Sequence, residues 1–151
     1  MAVNEPENIV IFKNCAAVIL DILYQSFPNP VDLDILYLEP KRRTRQLKNF
    51  DDEMKSYDEG YTVDENPVKP HLEIYRNTIY YMISEDILTC NDPQHGDSQR
   101  TFRACRLTSK GLGVLGRSYL KEKQSIGTKL HAALKDGKYK VVQDLVKQLI
   151  F

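Results

Sequence analysis

Apolar residues return at helical spacing through the first segment of the chain: Ile9, Phe12, Ala16, Ile19, Leu20, Leu23 and Phe27. Steps of three and four put them on one side of a helix, so the spacing predicts an amphipathic helix from about Pro6 to Phe27. Pro6 near its start costs little, because the first N–H groups of a helix have no internal partner. Pro28 and Pro30 cannot donate to a continuing helix and end it. Val31, Leu33 and Ile35 then alternate with Asp32 and Asp34, the period of a short strand. A second helix opens at Pro40, with Leu47, Phe50, Met54 and Tyr57 as a narrow stripe over about 40–59 and Gly60 as its C-cap. Residues 61–70 read as loop. A third helix runs from about His71 to Ser84, with Ile74, Ile79, Met82 and Ile83 as its apolar face. Ile87 to Cys90 read as extended, Asn91 to Ser98 as a polar turn, and Thr101 to Leu107 as a strand, which makes 87–107 a hairpin. Thr108 or Ser109 caps a fourth helix whose buried side is Leu112, Leu115 and Tyr119.

The tail changes character. Leu130, Ala133 and Leu134 form one short stripe, Gly137 breaks it, and Val141, Val142, Leu145, Val146 and Leu149 form another. Helices of this length are marginal alone and need a packing surface. Docking on the chain's own core and docking on a second copy both satisfy that need. A homodimer through the C-terminal helices is the favoured expectation, since two-fold pairing is the commonest form of assembly. The pattern divides the chain into residues 1–120 and an extension over 121–151.

Length and charge narrow the function. A chain of 151 residues suits one core. Lys plus Arg equals Asp plus Glu, 21 of each, so the molecule has no overall attraction for polyanions and any nucleic-acid contact must be a local patch. No apolar run approaches the roughly 20 residues that span a bilayer, and the acidic start lacks the features of a signal peptide. Cys15, Cys90 and Cys105 have no metal-binding or redox spacing and suit a reducing cytoplasm. His71, His95 and His131 are scattered, so neither a metal nor another cofactor is expected. His95 lies near Asp92 and Asp97 with Cys90 close by, but no oxyanion motif or Gly-rich phosphate loop accompanies them, so the chain reads as non-enzymatic.

The stretch Thr78-Ile79-Tyr80-Tyr81-Met82-Ile83-Ser84-Glu85-Asp86-Ile87-Leu88 resembles the end of a winged-helix third helix running into its first wing strand. Arg106-Leu107-Thr108-Ser109-Lys110-Gly111-Leu112 resembles the junction that follows the wing: Leu107 plugs the core, Thr108 or Ser109 caps, and Gly111 permits close packing. The tail from Ser125 to Ile150 is similar to the ending of a poorly characterised group of bacterial winged-helix proteins. The resemblance implies an α+β, mainly α fold: a three-helix core, a β-hairpin wing and added C-terminal helices. It supplies no catalytic residues.

With that fold the candidate DNA contacts follow. Arg42 and Arg43 lie in the basic start of the second helix, although an acidic run comes just after. Arg76, Asn77 and Tyr81 fall mostly off the apolar face of the third, with Glu73, Glu85 and Asp86 nearby. Arg100, Arg103 and Arg106 line the wing. Strand alternation puts Arg100, Phe102 and Arg106 on one face, and Arg103 with Cys105 and Leu107 on the other. The two readings are a dimeric DNA-binding regulator and a protein-interaction module on the same scaffold. Zero net charge, the acids of the third helix and nine tyrosines without a tryptophan speak for the second.

Overall fold

The computed structural model describes residues 5–48, 71–91, 99–117 and 123–150. In chain order these form α1 (Glu7–Ser26), β1 (Val31–Asp34), a 3-10 turn (Ile35–Tyr37), α2 (Pro40–Lys48), α3 (Leu72–Ser84), β2 (Leu88–Thr89), β3 (Thr101–Leu107), α4 (Ser109–Leu115), α5 (Ile126–Lys135) and α6 (Tyr139–Ile150). The fold is α+β and mainly α, with one small antiparallel sheet of strand order β1-β3-β2. Phe50, Met54, Tyr57 and Gly60 of the expected second helix, the hairpin tip with Asp92, His95 and Asp97, and Tyr119 lie outside the described residues.

Helix α1 is the axis of the molecule. From Cys15 to Leu20 every residue is buried, so this stretch is enclosed all round rather than amphipathic. A helix apolar on all sides is the mark of a core element. Helices α3, α5, α6 and α2 pack around it, and β3 closes another side. Ala16 and Ala17 let neighbours come close where larger side chains would hold them off. By length and composition α1 is also the one described helix apolar enough to cross a membrane, with a mean hydropathy of 1.5, which corrects the expectation that no segment reaches that limit. Its apolar character is used here by the protein's own core.

Helix α3 begins and ends as its pattern predicts, but its buried face is Tyr75, Thr78, Ile79 and Met82, while Ile74 and Ile83 are only half-buried. Thr78 can be buried because its hydroxyl donates to the Ile74 carbonyl at 2.7 Å.

The sheet departs from simple alternation. β3 pairs Cys105 with Val31 and Phe102 with Leu33, and the register shifts between those pairs. At the shift Ala104 takes a φ of +52°, and its N–H is received by the Asp32 carboxylate at 2.9 Å. The extra residue is a β-bulge, and it resets which side chains face the core. Phe102, Cys105 and Leu107 all point inward, and Arg100, Arg103 and Arg106 are all exposed. This corrects the strand-parity placement of Phe102 beside the outward arginines and of Arg103 beside Cys105.

The junction after β3 is built as its sequence suggests. Thr108 caps α4, its hydroxyl oxygen accepting from Gly111 N at 3.0 Å. A Cβ on Gly111 would run into the Ile87 carbonyl, so a side chain has no room there.

The tail is part of the core. Ser125 caps α5 and Gly137, at a φ of +69°, turns the chain into α6. Gly127 lies inside the first turn of α5, where it makes space for the Tyr24 ring rather than interrupting the helix. Ile126, Leu130, Ala133, Leu134, Val142, Leu145, Val146 and Leu149 are buried in one continuous core with the residues of α1. The segments on either side of residue 120 therefore share that core. Thr44 of α2 fastens the tail further: its hydroxyl donates to Leu134 O at 2.6 Å and stands 2.8 Å from the Tyr139 hydroxyl.

Candidate nucleic-acid interface

The eight residues expected to meet DNA are scattered in use. Arg43 is part of the interior: its Nε donates to the fully buried Asp21 carboxylate at 2.9 Å, and His131 Nδ1 reaches the other oxygen of Asp21 at the same distance. This group joins α1, α2 and α5 and engages the Arg43 Nε within the fold. Arg42 lies with its guanidinium carbon 4.3 Å from the centre of the Tyr37 ring, a cation–π contact. Arg76 is tied to the strand lead-in, its Nε donating to Gln99 O at 2.7 Å, while the Tyr80 hydroxyl donates to the Gln99 side chain at 2.6 Å. These bonds set the angle between α3 and β3.

Asn77 and Tyr81 turn away from β3. They border a groove of about 560 Å³ between α3 and the first turns of α1. The Tyr81 ring meets Phe12 edge-to-face with centroids 5.4 Å apart. Asn77 is exposed, whereas Glu73, Glu85 and Asp86 supply the exposed charge of α3 and the turn after it.

The arginines in and before β3 are all exposed. With the bulge between them Arg103 and Arg106 are both exposed on β3, and Arg100 is exposed just before the strand. Arg100 is bound to Asp34 of β1, its Nε 3.0 Å from Oδ2. Arg103 and Arg106 form no ion pair among the described residues. Asp32 lies beside them on β1, occupied with the Ala104 amide. The patch is thus basic with two acids at its edge.

Two charged residues escape the sequence reading, Asp21 and Lys13. Both sit on α1 among apolar neighbours at i−4 and i+3: Ala17 and Tyr24 flank Asp21, and Ile9 and Ala16 flank Lys13. Charges on an apolar stripe are the available signal, since burial then demands a partner. Lys13 is 5% exposed and its Nζ lies 2.6 and 2.8 Å from the two Glu5 oxygens.

Two of the three thiols, Cys15 and Cys105, are buried. Burial pushes the Cys15 thiol well above its ordinary range, against a smaller opposing effect of the Thr78 hydroxyl. Burial likewise raises Cys105, with Cys90 adding to it. Such thiols stay protonated and inert. Among the described residues no three His, Cys, Asp or Glu side chains gather as metal ligands. No family model matches the sequence, and no curated protein and no solved structure matches it either.

Proposed function

We propose that the chain is a winged-helix domain that binds duplex DNA through the phosphate backbone, with the β3 strand as its principal contact. The order helix, strand, helix, helix, hairpin and the sheet order β1-β3-β2 support the fold assignment. One observation carries the function: the bulge at Ala104 leaves both Arg103 and Arg106 exposed on β3, with Arg100 exposed just before the strand. Base reading by α3 has little support, because Arg76 is engaged with Gln99 and the exposed charge around α3 is acidic. Contacts confined to phosphate give affinity without sequence choice.

The charge count fixes the expected strength. Two or three arginines per chain give a slope of log affinity against log salt of about −2 to −3, a loss of roughly ten- to fortyfold between 50 and 200 mM salt. Such binding is weak, and a dimer that presents two wings would double the slope. The surface for a second copy would have to be other than the tail's apolar stripe, which the chain's own α1 occupies. Anisotropy titration of labelled duplex DNA over a salt series tests this. Failure to bind at about 50 mM salt rules the reading out.

The second reading is a protein-interaction module on the same scaffold. It is favoured by Glu73, Glu85 and Asp86 around α3, which repel phosphate where a DNA-reading helix would approach it. Under this reading the salt series shows no DNA binding at any concentration.

A further inference from the structure

The groove between α1 and α3 combines apolar walls with charged side chains, a feature separate from the β3 arginines. Ile9 and Phe12 of α1 and Ile74 and Tyr81 of α3 give it apolar walls. Its volume of about 560 Å³ falls within the range of small-molecule sites. Lys13 stands in it with a side chain only 6% exposed. A buried ammonium needs an anion beside it, since neither water nor an apolar wall replaces its lost hydration.

The anion in place is Glu5. It precedes Pro6 and the first turn of α1, so no helical hydrogen bond holds it, and its side chain is 37% exposed. The cation is thus set in the wall while its counter-ion lies ahead of the helix with a partly exposed side chain. Lys147 of α6 adds a second positive charge at the rim and has no ion pair among the described residues. A carboxylate that replaced Glu5 would leave Lys13 as well paired as before, and its apolar body would cover Phe12 and Tyr81.

We propose that this groove binds an amphipathic monocarboxylate, whose carboxylate takes the place of Glu5 on Lys13 and whose apolar part lies against Ile9, Phe12 and Tyr81. Glu5 acts as a tethered competitor that neutralises Lys13 in the empty site.

Octanoate is a suitable probe, titrated into the full chain and followed by amide NMR shifts and by tyrosine fluorescence, with octanol and octylammonium as controls. Octanoate should bind saturably, move the amides of residues 8–13 and 77–81, and exceed both controls in affinity. Glu5→Gln removes the competitor at an exposed position and should tighten octanoate binding about tenfold. Lys13→Met, which keeps the apolar stem, should abolish the preference for octanoate over octanol. A thermal melt identifies a folding failure in that variant, in which case Glu5→Gln and the octanol comparison decide alone. Equal binding of octanol and octanoate, unchanged or weaker binding by Glu5→Gln, or no saturable shift up to about 10 mM octanoate would overturn the proposal.

Discussion

Arg43 and Asp21 meet 2.9 Å apart, with the Asp21 side chain wholly out of solvent and the Arg43 side chain 16% exposed. Twenty-two positions separate them, and their contact fixes how α2 crosses α1. Breaking a buried pair from one side leaves a charge without compensation. Asp21→Ala should therefore destabilise the fold by about 3 kcal/mol, while His131→Ala, which leaves Arg43 on Asp21, should cost about 1 kcal/mol. Urea unfolding of both variants checks the order. Equal effects would mean that the histidine carries the pair.

The bulge offers a test of the β1–β3 pairing that does not involve DNA. Ala104 has a φ of +52°, which a Cβ disfavours. Ala104→Gly should raise stability by about 0.5–1 kcal/mol if the geometry is as described. Asp32→Ala should lower it by about 1 kcal/mol, because the Ala104 amide loses its acceptor.

Two glycines of α4 should respond in opposite senses. A Cβ at Gly111 meets the backbone oxygen of Ile87, which cannot move aside without shifting β2. Gly111→Ala should cost about 3 kcal/mol. Nothing lies within 4 Å of a Cβ at Gly113, so Gly113→Ala should stabilise by about 0.5–1 kcal/mol through helix propensity. Paired melting curves measure the contrast.

Removal of residues 126–151 should unfold the protein rather than release a monomer. Leu130, Leu134, Val142, Leu145 and Val146 are buried in the core shared with α1, and their loss would expose a helix enclosed on all sides. Far-UV circular dichroism of the truncated chain should show loss of α1 as well as of α5 and α6. A cooperative melt in the truncated form would refute this.

Alkaline pH should weaken the fold. The folded pKa values of Cys15, Cys105 and Tyr75 are all raised by burial, so the unfolded chain loses these protons first. Stability is then full below the unfolded thiol range of about 8.5 and falls as pH rises beyond it. Alkylation at pH 8 should accordingly label Cys15 and Cys105 only in denaturant. The measurements are urea midpoints from pH 7 to 10 and mass-resolved labelling.

Most elements were legible from local signals. The α1 and α3 spans, β3, the Thr108 cap and the Gly137 break follow from spacing and from residues whose conformational preferences act within a few positions. The site was harder to read. Of the expected DNA contacts, Arg43 and Arg76 hold the fold together, and Asn77 and Tyr81 line a groove that the third-helix pattern does not suggest. A basic side chain at a helix start looks the same in sequence whether its partner is a phosphate or a carboxylate on another helix.

The sequence by itself determined the bounds of α1, α3 and β3 to within a residue, because capping, proline and hydrophobic period act through neighbouring residues. Only the tertiary structure decided what those elements present. One bulge at Ala104 moved Arg103 to the outside and Phe102 to the inside, since strand parity depends on the pairing partner. The tail's apolar stripe suits a second copy as well as the chain's own core. It is buried against α1 because the stretch Cys15–Leu20 of that helix is enclosed on all sides and needs more cover than α3 and the sheet provide.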